Sequence, residues 1–507
     1  MKNCRHFRFS AFIYPVAGFC LLVSCSADKP ANKLSPQHSV ELTKKAIHDD
    51  INAKTIAVAF EDASDYALYY QSADKLFQAA FAGINAIEPA IELKQQNEQY
   101  VLHINNMPVK QWPLLKSMVD GTQKTDNTSY WANNLAEALK LIGAQSYRED
   151  DQLLNAAFQG MSTGLDAKSN YHPPTKASEA RDKRFGYAGV GLEITAIETT
   201  GNASFKVKST PDNNPVLAAY DGVDGIYITH INGQELKGLS PQQANNLLRG
   251  KVNSTASVTF YNQRIHKQRE LKLVRFQQFE PSVFWEKQGK VGVIKISRFS
   301  AQTSQELHEI LANIEKNSAD IHWLMLDLRS NLGGLLEEGV KSASLFLEGK
   351  HVVVDVAGRH PESIQHFDNS DIKSFQAAYH LPMVVVVDGN TASSAEIMTA
   401  ALQDNGRATV IGTGSLGKGS VQTVIDLPNG GEWLMTWALI YRANGELLDK
   451  KGITPDRCLM NAHEKTTKRG NIQPANFTPL PPNIQASCPR GDMSALTLTS
   501  LLQRAAQ

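Results

Sequence analysis

Apolar residues recur at three- and four-residue intervals through "SADKLFQAAFAGINAI" and "WANNLAEALKLIGA", the rhythm of helices with one buried face. "QLLNAAFQGMSTGLDAKSNY" continues it and predicts a further helix ending near Gly164. Residues 39–184 are therefore expected to form a mostly helical N-terminal region that serves as scaffold. From residue 185 the period shortens. "GYAGVGLEI" opens with glycines and runs into alternating apolar positions, and "GIYITHINGQEL" predicts a strand turned at Asn232-Gly233. "SPQQANNLLRG" predicts a helix capped by Ser240, with Pro241 in its first turn. "ASVTFYN" and "RELKLVRF" read as a strand pair, so residues 185–276 form a small β domain.

Over residues 277–460 strands alternate with helices. "KVGVIKISRF" predicts a strand, and "TSQELHEILANIEK" a helix with Leu307, Ile310, Leu311 and Ile314 on one face. Thr303 and Glu306 have capping-box spacing. "WLMLDL", "MVVVV" and "ATVIG" are uninterrupted apolar strands, which predicts an α/β core with both sheet faces covered. Asn429-Gly430 and Asn444-Gly445 mark hairpins. Residues 461–507 form a proline-bearing tail in which only "SALTLTSLLQRAA" predicts a short helix. The fold expected is multidomain α+β.

The chain of 507 residues has room for two to four domains. Its 51 Lys and Arg balance 51 Asp and Glu, so no basic excess calls for nucleic acid. The N-terminus changes the picture more. Lys2, Arg5 and Arg8 precede an apolar run over residues 11–23 that ends in "LVSC", the layout of a secretory leader and short for a membrane span. Cys25 directly after Leu-Val-Ser resembles a bacterial lipobox. That implies a signal peptide over residues 1–24, lipidation of Cys25 and a tether over residues 25–38. A plain signal peptide or short anchor is the alternative. In the lipoprotein reading the chain sits in the bacterial cell envelope and faces the periplasm, and Ser26 favours the outer membrane. Cys458 and Cys488 are then the two cysteines left. A pair in an oxidising compartment suggests a disulfide, the alternative being two free thiols.

In open α/β sheets, sites lie at the carboxyl ends of strands. Three loops follow the apolar strands here: "RSNLGG", "DGNTAS" and "GSLGKGSVQ". Gly412 followed at the right distance by Gly417-Lys418 looks like a phosphate-binding loop. Gly419, however, stands where serine or threonine must hold magnesium, and export removes the chain from ATP. "HExxH" is absent and no Cys or His cluster has ligand spacing, so no metal or cofactor is expected. Ser162 in "GMSTG" has nucleophile-elbow spacing, but it follows a helical pattern where an elbow follows a strand; it is expected to be a helix end. A lysine can activate a serine if it is neutral, and burial disfavours the ammonium. Val410, Ile411, Leu416 and Val421 could supply an apolar pocket for Lys418.

"DLRSNLGGLLEEGVKSASLFL", "VVVVDGNTASSAEIMTAALQDNGRATVIGTGSLGKGSVQT" and "KKGITPD" together resemble the carboxyl-terminal processing peptidases, or tail-specific proteases. The resemblance covers about residues 155–456. It implies an α/β protease core of the ClpP/crotonase-like kind over residues 277–460, with a PDZ domain over residues 185–276 inserted after the helical region. It implies a serine endopeptidase with Ser393 as nucleophile, Lys418 as general base and then acid, and Gln422 orienting the lysine. Ser394 is the adjacent rival nucleophile. The oxyanion hole falls on the N–H groups of Ser394 and Gly333, although Leu332 replaces a proline usual in relatives. Asp327 and Arg329 are expected to hold that loop.

The PDZ loop Gly189, Val190, Gly191 and Leu192 would bind a peptide's terminal carboxylate through backbone N–H groups. Gly225-Ile226 departs from the Gly-Asp of many relatives. Arg249, at the end of the PDZ helix, could pair with an acidic neighbour in a resting state. The partners implied are exported proteins or peptides with a free apolar carboxyl terminus, the membrane through the lipid, and an adaptor protein. The second reading is a catalytically silent peptide-binding or scaffold lipoprotein.

Overall fold

The structure is a computed structural model. It describes residues 36–69, 71–115, 119–120, 123–124, 127–197, 205–211, 214–220, 222–317, 320–372, 380–459 and 488–493. Cys25, the leader, the tether up to residue 35 and the helix expected near the C-terminus lie outside them. The chain divides into two compact units, residues 1–49 and 50–507; the described part of the first is the opening of helix α1 (Pro36–Tyr66). Among the described residues no helix is long and apolar enough to cross a membrane.

The N-terminal region continues with α2 (Ala73–Ile87), β1 (Ile91–Gln96), β2 (Gln99–Ile104), β3 (Met107–Pro113), the two-residue strands β4 (Val119–Asp120) and β5 (Gln123–Lys124), α3 (Thr128–Gly143) and α4 (Asp150–Leu165). The region is mostly helical, and beside its helices it holds a three-stranded antiparallel sheet, β1-β2-β3, that the helical reading leaves out. Its outer strands, "IELKQQ" and "MPVKQWP", are largely exposed, so no regular buried face marks them. The turns between strands rest on Asn97, Asn105 and Asn106, all with positive φ, a conformation asparagine tolerates. Helices α2 and α4 touch backbone to backbone. A Cβ on Gly83 would lie 2.0 Å from the Ala156 carbonyl oxygen, and one on Gly160 2.1 Å from that of Ala79. Gly160 of "GMSTG" is thus a packing residue. Ser162 is buried, donates to the Phe158 carbonyl at 2.8 Å and accepts from Trp433 Nε1 at 2.8 Å.

Next come β6 (Asn170–His172), α5 (Pro174–Phe185) and β7 (Tyr187–Gly189), then a second antiparallel unit. It contains β8 (Glu193–Ala196), β9 (Phe205–Ser209), α6 (Pro215–Tyr220), β10 (Ile226–Ile231), β11 (Gln234–Glu235), α7 (Pro241–Leu248), β12 (Thr255–Asn262) and β13 (Lys267–Val274). The strand order is β13-β12-β10-β9-β8, which leaves β8 at an edge. Ser240 Oγ accepts the Gln243 N–H at 3.2 Å and Gln243 Oε1 accepts the Ser240 N–H at 2.8 Å, a complete capping box for α7. The unit has its own apolar core around Phe205, Ile228, Val258 and Phe260. Strand β14 (Phe276–Gln278) pairs with β7, closing its two ends together.

The remaining elements are β15 (Val283–Gln288), β16 (Val291–Ile296), α8 (Thr303–Asn317), β17 (Trp323–Asp327), α9 (Leu336–Ser344), β18 (Val352–Gly358), β19 (Gln365–Asp368), β20 (Met383–Val387), α10 (Ser394–Asp404), β21 (Thr409–Gly412), β22 (Ser420–Asp426), β23 (Glu432–Arg442) and β24 (Arg457–Cys458). One sheet has the order β15-β16-β17-β20-β21-β24, parallel from β16 onward. A second, antiparallel sheet runs β19-β18-β23-β22, with β6 added on β23. Helices α9 and α10 share one apolar core with both sheets: Ala343, Ile397 and Met398 pack with Leu326 and Val385 of the first and Val354 and Ile440 of the second. The expected capping box of α8 is not formed. Thr303 Oγ1 takes the Ser300 N–H at 2.9 Å, and Glu306 instead receives Ser282 N (2.8 Å) and Val283 N (2.9 Å) from the strand β15 beside it.

Candidate active site

Three turns meet where β17, β20 and β21 end. They are bonded to one another: Ala392 N donates to the Asn331 carbonyl at 2.9 Å, and Leu416 N to the Thr391 carbonyl at 3.0 Å. The buried Asp388 carboxylate takes the N–H groups of Ser330 and Asn390, each at 3.0 Å. Arg329 closes on Asp327 with two parallel bonds, 2.8 and 2.7 Å, and donates to the Met493 carbonyl at 2.8 Å. Charge and geometry thus hold the first loop from both sides.

Ser393 stands at the junction of the second turn and α10, with φ 55° and ψ −121°. A non-glycine residue at positive φ is strained, and here the chain turns sharply from strand into helix. The neighbouring Ser394 is different. It is buried, and its hydroxyl donates to the Gly334 carbonyl at 3.1 Å. Of the two serines, only Ser393 keeps part of its surface open to solvent.

Glu396, one turn into α10, is fully buried. One carboxylate oxygen, Oε2, accepts Ser393 N at 2.8 Å and Lys418 N at 2.9 Å; the other accepts Gly417 N at 2.7 Å and the Ser415 hydroxyl. A single side chain therefore staples the backbone of Ser393 to that of Lys418. It also explains the apparent phosphate loop: the N–H groups of Gly417 and Lys418 already enclose an anion, and that anion is the protein's own. Burial pushes the Glu396 carboxyl above its ordinary range, against the pull of those hydrogen bonds.

The Lys418 side chain is half-buried. Burial holds its ammonium below the usual lysine range, the charge of Lys168 lowers it further, and Glu396 opposes both. Gln422 lies on β22 and points its amide nitrogen at Ser420 Oγ (2.9 Å) and Thr436 Oγ1 (3.5 Å). Among the described residues these, and not Lys418, are the partners of that nitrogen. Gly333 is beside the serine, since a Cβ there would lie 2.7 Å from Ser393 Cβ. Its N–H is not free, because it donates to the buried Asn331 Oδ1 at 2.8 Å. As an open oxyanion donor, Gly333 is corrected by this bond. The first-turn N–H of Ser394, at the positive end of α10, is the donor next to Ser393.

Of the expected peptide loop, Val190 is a core residue whose carbonyl accepts from Asn214 Nδ2 at 2.8 Å. Gly191 has φ 74° and turns the chain into β8, with Gly189 before it paired to Phe276 and Leu192 after it half-buried. Arg249 pairs with Asp182 on α5 and lies 4.3 Å from the centre of the Tyr187 ring. Among the described residues no group of His, Cys, Asp and Glu could hold a metal ion.

Cys458 and Cys488 form a disulfide. It fastens residues 488–493 across the site's outer side: Gly389 N donates to the Gly491 carbonyl at 2.7 Å, as does Thr413 Oγ1 at 2.7 Å. The bond closes 30 residues of chain, a constraint on the unfolded state of about 3–4 kcal/mol. Reduction, or Cys458→Ser with Cys488→Ser, is therefore expected to lower the melting temperature measurably and to reduce activity. An unchanged melting curve in reductant would count against this role for the segment.

Residues 290–458 match peptidase family S41. The chain belongs to the carboxy-terminal-processing proteases of that family, serine-type peptidases that act on proteins or peptides. It is 33% identical over 312 residues to the carboxy-terminal-processing protease of Bartonella bacilliformis, spanning 61% of this chain and 70% of that protein. It is 30% identical over 347 residues to a "Probable CtpA-like serine protease" of Staphylococcus aureus, spanning 68% of this chain and 67% of that protein. Among solved structures it is similar to the photosystem II D1 C-terminal processing protease, with 25% identity, a TM-score of 0.35, and 64% of this chain and 86% of that chain covered.

Proposed function

We propose that this chain is an exported Ser–Lys endopeptidase that cuts proteins chosen by their carboxyl termini. The observation that carries the reading is the Glu396 staple between Ser393 and Lys418, with the rival Ser394 hydroxyl buried and engaged. In this mechanism neutral Lys418 Nζ takes the proton of Ser393 Oγ as that oxygen attacks the scissile carbonyl. A tetrahedral intermediate forms, and its oxyanion meets the Ser394 N–H at the helix N-terminus. Lys418, now charged, gives the proton to the departing amine. The acyl-enzyme is then hydrolysed by water, with Lys418 again as base. In this reading Gln422 orients the lysine.

The core over residues 277–460 is read as ClpP/crotonase-like, and the unit over residues 185–276 as a PDZ domain. A peptide would add as a strand at the open edge of β8, beside α7, with its carboxylate at the loop of Gly189, Val190, Gly191 and Leu192. The Arg249–Asp182 pair fits a resting state of that unit. Lipidation at Cys25 would hold the enzyme at the periplasmic side of the outer membrane, with an adaptor protein as a further partner.

The test uses purified residues 26–507 and an unfolded protein ending in an apolar residue, with the carboxylate free or amidated. Fragments are followed by mass spectrometry. Cleavage that slows several-fold on amidation supports terminal recognition, and equal rates would remove it. Absence of a lipid mass on Cys25 from cells would remove the anchor.

A further inference from the structure

The loops that follow β17 and β21 stand on either side of the Ser393 turn, because β20 lies between those two strands in the parallel sheet. Both loops are built alike, with two locked residues and an outward leucine between them. In the loop after β17, Asn331 is buried: its Nδ2 donates to the Ile296 carbonyl at 2.8 Å, and its own carbonyl takes the Ala392 N–H at 2.9 Å. Gly333 is held through its N–H by Asn331 Oδ1, and its carbonyl accepts Phe299 N at 3.0 Å. Between these two anchors Leu332 is 68% exposed. In the loop after β21, Ser415 is buried; its hydroxyl donates to Glu396 and accepts Ile453 N at 2.6 Å. Gly417 N donates to Glu396 at 2.7 Å. Between this second pair Leu416 is 41% exposed, and its N–H is bonded to the Thr391 carbonyl, two residues before the serine.

A single exposed leucine is ordinary. Here two occupy the same place in the two loops that flank one serine, and the backbone beneath each is fixed. Among the described residues neither belongs to an apolar cluster of the fold. Their surface is left for whatever comes to the serine. We propose that Leu332 and Leu416 determine specificity at the cut itself, each as the apolar contact for one of the two side chains that flank the scissile bond. The inference rests on the reading of Ser393 as the nucleophile. It concerns the bond that is cut, not the carboxyl terminus by which a substrate is chosen. A peptide laid extended across the Ser393 turn sends the side chains before and after the bond to opposite sides, one toward each loop. An apolar side chain removes its own surface and that of the leucine from water, whereas a charged one loses hydration against it. Because both loops are already locked, little ordering is lost when the contact forms. The substrate class is thus a chain with apolar residues on both sides of the cut.

The experiment measures kcat/KM in the full soluble chain for one quenched peptide varied to Leu, Ser, Glu or Lys at each residue flanking the cut. The variants are Leu332→Glu, Leu416→Glu, Leu332→Met, Leu416→Met and Ser393→Ala, each with a melting curve. Wild type is expected to favour leucine over either charged residue by at least about tenfold at both positions. Leu332→Glu is expected to lose that preference at one flanking position and to turn it toward lysine, and Leu416→Glu to do the same at the other. The methionine variants should keep the wild-type profile. Binding of the same peptides to Ser393→Ala, with and without each glutamate, read by fluorescence anisotropy, reports these preferences without turnover. An unmoved profile, or an equal loss for every peptide, overturns the proposal. So does a changed oligomeric state with an unmoved profile, which would make the leucines a contact between copies of the chain. Ser393→Ala separates the two readings: if it still cuts, the nucleophile assignment fails, and if it is inactive while the profiles are unmoved, only the role of the leucines fails.

Discussion

Ser393→Ala is expected to abolish cleavage, with kcat falling on the order of 10⁴-fold or more, and Lys418→Met to do the same. Neither substitution should unfold the chain. Ser393 is half-buried, and removing its hydroxyl leaves its backbone bond to Glu396 intact. Lys418→Met replaces an ammonium already disfavoured by burial with an apolar chain of similar length. The check is a single-turnover assay on a quenched peptide beside a melting curve for each variant. In the proposed mechanism the two share one proton transfer, so the double variant should be no slower than either single one. Ser394→Ala is the contrast, since its hydroxyl is committed to the Gly334 carbonyl. An active Ser393→Ala enzyme with an inactive Ser394→Ala enzyme would reverse the assignment.

The second large effect concerns Glu396. Alanine there leaves the N–H groups of Ser393, Gly417 and Lys418 and the Ser415 hydroxyl without their acceptor, in a fully buried place. Unsatisfied buried donors cost about 1–3 kcal/mol each, so Glu396→Ala is expected to lose at least ~3 kcal/mol of stability by denaturant titration. Activity should fall further than stability accounts for, because the serine and lysine backbones lose their common tether. Glu396→Gln keeps one acceptor and introduces a donor facing other donors, and should lie between. Near wild-type turnover by Glu396→Ala would show that the staple is dispensable.

Much of this site could be read along the chain because its parts sit in ordered motifs: "NTASSAE" for the serine and "LGKGSVQ" for the lysine. What holds them together could not. The strain at Ser393 has no sequence signal, since Ala392 and Ser394 beside it are not glycines. Glu396 reads as an ordinary first-turn acid, and its bonds to residues 415–418 exist only once α10 and the lysine loop are neighbours. Gly333 lies beside Ser393, but the capture of its N–H by Asn331 is a matter of side-chain direction that spacing does not encode. The helix patterns of α2, α3 and α8 were clear because each buries one face. The β1-β2-β3 meander was invisible because its outer strands bury so little.

Trp433 and Met435 of β23 belong to the same apolar cluster as Phe60, Phe77, Trp131 and Phe158 of the N-terminal helices, and β6 completes the sheet on that side. The stretch that matches the family, residues 290–458, is accordingly not a unit that could be cut out and inherited alone. An isolated fragment would present a tryptophan and a methionine that are now fully covered, and would be expected to aggregate. Recombination could exchange the β unit that has its own core more readily than the helices. If that unit selects the substrate, as proposed, variation in selection can be separated in evolution from the part of the chain that makes cutting possible.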